Sequence, residues 1–248
     1  MPTSKPLAGH IALVTGASRG IGRASALALA AAGSQTIAIA RSQGGLEELD
    51  DDIRKAGGLK PVLVPLDLLE PDGLDHLGLA LHERFGRLDL MVHAAASLGP
   101  LTPVAHLEPK HFDRVVAANL TASYRLIRAM EPLLRAAPAG KAIFLTSSVA
   151  SKPAAFWGGY AATKAGVDAM VRCWADEIEH TGVQAVILDP GGMRTRMRAE
   201  AYPGENPETL PSPDEIGPLI VELCQGDRGL PTETVRFKAW KAAQAGEA

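Results

Sequence analysis

The sequence Ile11-Ala-Leu-Val-Thr-Gly-Ala-Ser-Arg-Gly-Ile-Gly22 joins a short apolar run to a glycine-rich loop, and an alanine-rich helical stretch follows it up to Gly33. A strand, a glycine loop and a helix in this order can hold a phosphate group, because glycine lets the backbone approach the ligand and the helix N-terminus offers free N–H groups. The spacing Gly-x-x-x-Gly-x-Gly differs from the Gly-x-Gly-x-x-Gly dinucleotide fingerprint, so a tight turn without a ligand is the alternative. We assign the predicted pyrophosphate cradle to Gly16, Ser18, Arg19, Gly20, Ile21 and Gly22.

Outward from this stretch, apolar runs of strand length alternate with helical stretches along the whole chain. Strands are predicted at 11–15, 36–40, 61–66, 88–92, 141–148, 183–188 and 234–237, and helices at 45–56, 71–86, 107–136 and 156–180 and from 212 onward. This alternation predicts an α/β fold of the Rossmann type, with a doubly wound, seven-stranded, mostly parallel sheet and helices on both faces. We find no repeat and no linker, and therefore expect a single domain over 1–248. The proline-punctuated segment at about 193–212 is interpreted as a substrate lid.

Three charged residues bear on the nucleotide that the cradle would hold. Arg41 follows the second predicted strand, at the place where a carboxylate often binds the ribose hydroxyls of NAD. Arg41 and Arg19 together suit a 2′-phosphate, which predicts NADP(H) in preference to NAD(H); the alternative is two solvated surface arginines. Asp67 follows the third strand, where it could accept the adenine amino group or cap the next turn.

A second motif, Tyr160-Ala-Ala-Thr-Lys164, carries acid–base chemistry. Tyr160 and Lys164 are four residues apart and share one face of the predicted helix. The ammonium should favour the phenolate and lower a tyrosine pKa that is ordinarily about 10, which suits proton exchange with a substrate oxygen. Ser148 lies twelve residues upstream and could hold the same oxygen, although Ser147 remains an alternative.

The composition narrows the functional classes. The 248 residues carry a net charge of −3, contain no basic run and include only 4% aromatic residues. The sequence therefore gives no indication of a nucleic-acid-binding surface. The N-terminus lacks a signal-peptide pattern and no apolar stretch is long enough for a membrane span, so we expect a cytoplasmic, soluble protein without a membrane partner. Cys173 and Cys224 are interpreted as reduced core thiols, and no metal site is predicted.

Taken together, six motifs resemble the short-chain dehydrogenase/reductase family over nearly the whole chain, in particular its 3-oxoacyl-[acyl-carrier-protein] reductase-like members. They are Thr15-Gly16-x-x-x-Gly20-x-Gly22, Asp67, Asn119, Ser148, Tyr160-x-x-x-Lys164 and Pro190-Gly191-x-x-x-Thr195. The resemblance implies an NAD(P)-dependent enzyme that transfers a hydride between nicotinamide and a small-molecule carbonyl or secondary alcohol. The substrate itself is not readable: a 3-oxoacyl thioester, a steroid, a sugar and a small ketone all stay open.

The resemblance also implies a role for each matching residue. Tyr160 would be the general acid in reduction or the base in oxidation, and Lys164 would lower its pKa and bind the nicotinamide ribose. Ser148 would hold the substrate carbonyl, and Asn119 would position a water molecule that links Lys164 to solvent. Asp67 would meet the adenine. The nicotinamide would be bordered by Pro190, Gly191 and Thr195.

The chain departs from the family in two places. His93-Ala-Ala-Ala96 stands where the family usually has Asn-Asn-Ala-Gly, so Ala96 adds a Cβ beside the cofactor, while His93 is expected to pack or hydrogen-bond. The C-terminus lacks the glycine-rich segment used in tetramer contacts, which favours a homodimer through the 107–136 and 156–180 helices over a homotetramer. The His93–Ala96 departure also keeps open a non-catalytic dinucleotide sensor or assembly protein, and an epimerase or dehydratase is a third reading.

Overall fold

The structure, a computed structural model, describes residues 5–70, 72–225 and 233–246. Seven strands form one sheet in the order β3-β2-β1-β4-β5-β6-β7, and each neighbouring pair is parallel. The strands are β1 Ile11–Thr15, β2 Gln35–Ala40, β3 Val62–Pro65, β4 Leu90–His93, β5 Lys141–Leu145, β6 Gln184–Asp189 and β7 Val235–Arg236. The predicted Rossmann-type fold is confirmed, and its crossover between β3 and β4 brings the carboxyl ends of the central strands together.

Helices cover both faces of the sheet. They are α1 Gly20–Ala31, α2 Gln43–Lys55, α3 Gly73–Phe85, α4 Pro109–Val116, α5 Ala122–Arg135, α6 Gly158–Glu177, α7 Arg196–Ala201, α8 Gly217–Cys224 and α9 Phe237–Gly246. Side chains alternate along β1: Ala12 and Val14 pack into the layer of α1, α2 and α8, whereas Leu13 packs into the layer of α3, α5 and α6. A strand buried on both faces needs an unbroken apolar run, which is why β1 was visible in the sequence. Within the described ranges, no helix combines the length and the apolarity that a bilayer crossing requires.

The predicted 107–136 helix is divided. A π-helical turn, Ala117–Thr121, separates α4 from α5 and carries Asn119. Pro132 lies inside α5, which ends three residues later at Arg135. The irregularity therefore falls at the asparagine and not at the proline, and π-helical turns of this kind occur frequently at functional sites.

The fifth strand is shorter than predicted. It ends at Leu145 and not at 148, because Ser148–Ala150 forms a 3₁₀ turn closed by a bond from the Ala150 N–H to the Ser147 carbonyl. The Thr146 N–H still donates to the Leu188 carbonyl on β6. Both candidate serines consequently lie on a loop beyond the strand.

The lid also differs from the prediction. The lid contains α7 and a 3₁₀ turn, Pro207–Thr209, where no regular structure was expected. The alanine-rich end of the chain forms α9, anchored by the buried Phe237 and by a bond from Trp240 Nε1 to Glu222 at 2.8 Å. Cys224 is buried as predicted, but Cys173 is exposed, so its interpretation as a core thiol is wrong.

Candidate active site

A cavity of about 160 Å³ opens at the carboxyl ends of β4, β5 and β6. It brings together seven of the predicted site residues, Ile21, Ser148, Tyr160, Lys164, Pro190, Gly191 and Thr195. Ala94 and Ala96 also line it, so the alanines that replace the family pattern leave the cavity open. Asn119 lies behind this cavity, and Arg19, Arg41 and Asp67 do not line it.

The glycine loop has the geometry of a phosphate cradle. Gly16 and Gly20 have φ of 68° and 56°, a conformation that favours glycine. A Cβ on Gly22 would lie 2.3 Å from the Gly16 carbonyl oxygen, so only glycine lets the loop pass this close to α1. Arg19 is the N-cap residue of α1, and no side chain caps the helix there. The first N–H groups of a 12-residue helix are thus left available to an anion, as the binding of a pyrophosphate requires.

The adenosine end of the predicted site lies at β2 and β3. Arg41 Nη1 is 4.0 Å from Asp67 Oδ2, and its side chain is 62% exposed, so the guanidinium is free to move onto a phosphate. Asp67 Oδ1 accepts the Leu69 N–H at 3.1 Å, which realises the turn-capping alternative for this residue. Arg19 is exposed and has no ion pair with any residue that the structure describes.

Burial dominates the electrostatics of Tyr160 and Lys164. It raises the pKa of Tyr160 to about 12, with the negative charge of Asp189 as the second cause. Burial also lowers the pKa of Lys164 to about 8, against the opposing influence of Asp168. Lys164 Nζ donates to the Leu145 carbonyl at 2.7 Å and lies 5.9 Å from the centre of the Tyr160 ring. The predicted lowering of the Tyr160 pKa is therefore wrong for this structure, because burial and the charge of Asp189 both raise it.

Aromatic and thioether side chains build the outer wall of the cavity. The Tyr160 hydroxyl lies 4.0 Å from the Met197 sulfur on α7, so the lid covers the phenol. The Trp157 ring packs between those of Tyr160 and Tyr202, with centroid distances of 6.0 and 5.7 Å. Sequence reasoning missed these residues. A signal was present, since tryptophan is scarce in this chain and Trp157 lies one helical turn before Tyr160.

The structure places both candidate serines, Ser147 and Ser148, at the cavity. Ser147 and Ser148 both line the cavity, Ser148 the more exposed. Neither hydroxyl has a hydrogen-bond partner within the described part of the chain. The choice of Ser148 over Ser147 stays a prediction.

Asn119 ties three elements together. Its Oδ1 accepts the Ser97 N–H at 2.7 Å, and its Nδ2 donates to the Ser97 carbonyl at 2.9 Å and to Thr163 Oγ1 at 3.0 Å. The side chain is 2% exposed. It joins the loop after β4 to the residue that precedes Lys164, while its predicted role in positioning a water molecule stays a prediction.

His93 sits in the middle of a hydrogen-bonded chain, as its expected packing role requires. The Ala95 N–H donates to Thr15 Oγ1 at 3.2 Å, which in turn lies 2.8 Å from His93 Nδ1. His93 Nε2 lies 2.9 Å from Ser123 Oγ, and that hydroxyl donates to the Asn119 carbonyl. Because the Ser123 hydroxyl donates to the Asn119 carbonyl, Nε2 carries a proton, and a Thr15 hydroxyl that donates to Nδ1 completes a neutral imidazole. Burial, and secondarily the charge of Lys164, lowers the pKa of His93 to about 3.

The lid arginines are paired within the lid. Arg194 binds Glu208 and Arg196 binds Glu200, each at 2.8 Å. Arg198 makes two bonds to Glu205, at 2.6 and 2.7 Å, and its guanidinium stacks 3.8 Å above the Tyr202 ring. Each lid guanidinium thus has a carboxylate partner, and Arg198, whose side chain is the least exposed of the three at 28%, is the most firmly held.

Comparisons with known proteins agree with this geometry. Residues 10–206 match the family described as short chain dehydrogenase. The oxidoreductase YciK of Escherichia coli K12 is 35% identical over 228 residues, which cover 91% of this chain and 90% of that protein. A short chain dehydrogenase from Shigella flexneri 2a, solved in complex with NADP, has a TM-score of 0.90 at 34% identity, covering 94% of this chain and 99% of the other. An NADPH-dependent aldehyde reductase-like chloroplastic protein of Arabidopsis thaliana is 31% identical over 83% of this chain and 79% of its own length.

Proposed function

The chain belongs to the short-chain dehydrogenase family, and we propose that it is an NADP(H)-dependent reductase of uncharged, largely apolar carbonyl compounds. The observation that carries the proposal is the single cavity that joins Ile21 of the glycine loop to Tyr160 and Lys164. That arrangement would bring a reduced nicotinamide and a general acid to the same substrate carbon and oxygen.

The proposed cofactor site follows from the fit of the residues. The uncapped start of α1 and the glycine conformations suit a pyrophosphate, and the exposed Arg19 and Arg41 suit a 2′-phosphate. The Shigella flexneri relative was solved with NADP, which supports the same choice here. Pro190, Gly191 and Thr195 would border the nicotinamide.

The protonated state of Tyr160 suits the role of general acid in carbonyl reduction. A phenol with a pKa of about 12 keeps its proton at neutral pH and can therefore donate it to the substrate oxygen as negative charge develops there. When bound, NADPH supplies the hydride to the carbonyl carbon. Lys164 would hold the nicotinamide ribose, and a hydroxyl from Ser148 or Ser147 would hold the carbonyl oxygen.

The cavity wall narrows the proposed substrate class. The residues around Tyr160 are mostly apolar, namely Leu98, Val149, Trp157, Met193, Met197 and Tyr202. Arg198 also lines the cavity, but Glu205 neutralises it. Apolar walls and a guanidinium that is already ion-paired suit a flat, uncharged aldehyde or ketone better than an acidic one. We therefore expect the enzyme to prefer aromatic aldehydes to 3-oxoacyl carrier thioesters, whose carrier groups are charged.

The exposed face of α6 supports a homodimer. Small side chains form a stripe on this face, at Ala162, Ala165, Ala169 and Cys173. On the neighbouring α5, Tyr124 is 52% exposed. A second copy of the chain would cover this surface. Light scattering after gel filtration should give a dimer, and Ala165→Arg should give a monomer.

Turnover tests the proposal. NADPH oxidation should be followed with benzaldehyde, with an aromatic ketone and with a carboxylate-bearing aromatic aldehyde of equal size. The proposal expects kcat/KM to be at least about tenfold higher for benzaldehyde than for the carboxylate. A preference for the carboxylate would contradict the assignment of Arg198 as neutralised. NADPH binding without turnover of any carbonyl would restore the reading as a non-catalytic dinucleotide sensor.

A further inference from the structure

Helix α6 carries a row of polar side chains one turn apart. Tyr160, Lys164, Asp168 and Arg172 follow one another at intervals of four residues and so lie on one side of the helix. The first three are buried, with relative exposures of 7%, 5% and 7%, while Arg172 reaches the surface and donates to Thr234 Oγ1 at 3.1 Å. A carboxylate buried directly beyond the Lys164 ammonium has no part in the reaction described so far.

Two buried oxygen atoms, one in this row and one on the loop after β5, have no hydrogen-bond partner in the part of the chain that the structure describes. They are Asp168 Oδ1 and Thr146 Oγ1, and Thr146 is itself only 6% exposed. Thr146 follows Leu145, whose carbonyl accepts the bond from Lys164 Nζ. Burial raises the pKa of the Asp168 carboxyl, and the Thr146 hydroxyl is close enough to oppose part of that rise, although no bond of normal geometry joins them. Buried polar atoms are rarely left unpaired, and a water molecule with two to four polar partners is the usual solution.

We propose that Asp168 is a positioning residue of the active site, which together with Thr146 holds a water molecule beside Lys164 and keeps the Lys164 ammonium charged. The inference rests on the proposed function, since it assigns Lys164 to the nicotinamide ribose. Lys164 has three N–H donors and uses one of them in its bond to the Leu145 carbonyl. The water molecule would accept from a second and donate to Asp168 Oδ1, and the Thr146 hydroxyl would complete its shell.

The charges around Lys164 give Asp168 this task. Asp168 on α6 and His93 on β4 interact with the Lys164 charge, and the Tyr160 ring lies 5.9 Å from Lys164 Nζ. Asp189 on β6 acts on Tyr160 and Asp168, and Arg172 acts on Asp168. His93 and Tyr160 are neutral at pH 7. Asp168 is the group that holds the Lys164 pKa up against burial.

Asp168→Asn removes the carboxylate without changing the size of the side chain. With Lys164 at about 8 in the parent, loss of the carboxylate should bring its pKa down by about one unit. The charged fraction at pH 8 then falls from about one half to about one tenth, so the Kd for NADPH should rise about fivefold, against less than twofold at pH 6. The high-pH limb of kcat/KM should move to lower pH by the same amount.

The matched control is Asp176→Asn, the same change on the exposed side of α6 two turns further on. Asp168→Glu should restore most of the parent profile because it restores the charge. Thr146→Val keeps the carboxylate and removes the hydroxyl, and it should move the limb in the same direction. If Asp168→Asn does not fold, the pH profile of Thr146→Val tests the proposal on its own.

The titration of NADPH fluorescence separates the two proposals. A parent protein that fails to bind NADPH at any pH contradicts the proposed function. A parent that binds NADPH, with Asp168→Asn or Thr146→Val superimposed on it at both pH values, overturns the role of Asp168. An equal shift in Asp176→Asn would also overturn it, since the effect would then be one of net charge.

Discussion

Acid should destabilise this protein through His93. The His93 imidazole is neutral and buried, and its pKa is lowered from 6.5 to about 3. Between these two pH values the unfolded chain binds a proton at this residue, whereas the folded chain does not. The stability linked to His93 is fully present above pH 6.5 and is lost as the pH falls toward 3. At 1.36 kcal/mol per pKa unit, the loss is about 2 kcal/mol at pH 5 and about 4 kcal/mol at pH 3. The larger figure is comparable with the total stability of many domains.

The assay is urea unfolding of the parent and of His93→Asn at pH 7 and pH 5. Asparagine cannot span from Thr15 to Ser123 as the ring does, so the variant should be less stable at pH 7, by about 1–3 kcal/mol. Between pH 7 and pH 5, however, it should lose about 2 kcal/mol less than the parent. His180→Asn, which changes an exposed histidine, should lose as much as the parent. Equal losses in the parent and in His93→Asn would refute the reasoning.

Three further perturbations test the cofactor site and the cavity wall. Arg41→Ala should weaken NADPH binding about 10- to 100-fold and leave NADH binding within about twofold in fluorescence titrations, because only the 2′-phosphate is lost; equal losses for both cofactors would contradict this. Gly22→Ala should lower the free energy of unfolding in urea by more than about 2 kcal/mol, since its Cβ would lie 2.3 Å from the Gly16 oxygen. The control Gly44→Ala has open space around the new Cβ and should change the free energy of unfolding by less than about 1 kcal/mol. Trp157→Ala should raise KM for aromatic aldehydes about tenfold with a smaller effect on kcat, and an unchanged KM would remove Trp157 from the substrate wall.

The fold was readable in the sequence because strands buried on both faces need uninterrupted apolar runs. β1 has the predicted bounds, and most other bounds lie within two or three residues. The π-helical turn was not readable: Ala117–Thr121 has the composition of an ordinary helix, and the extra residue per turn follows from contacts of Asn119 with Ser97 and Thr163.

The site was readable where chemistry depends on spacing along one helix. Tyr160 and Lys164 fall together because they are one turn apart. Their pKa values were not readable, since the cost of burial depends on what α7 and the loop after β4 place over them. The same holds for the lid, where Arg198 pairs with Glu205 seven residues further on, a partner that no regular helical or strand spacing indicates.

The most direct test of the account is the removal of one oxygen atom, in Tyr160→Phe. Among the described residues the hydroxyl has the Met197 sulfur as its one hydrogen-bond partner, so the variant should fold and should bind NADPH within about threefold of the parent. The account predicts that turnover of an aromatic aldehyde with NADPH falls at least about 100-fold, as expected for loss of a general acid. Turnover by Tyr160→Phe at the rate of the parent would contradict it.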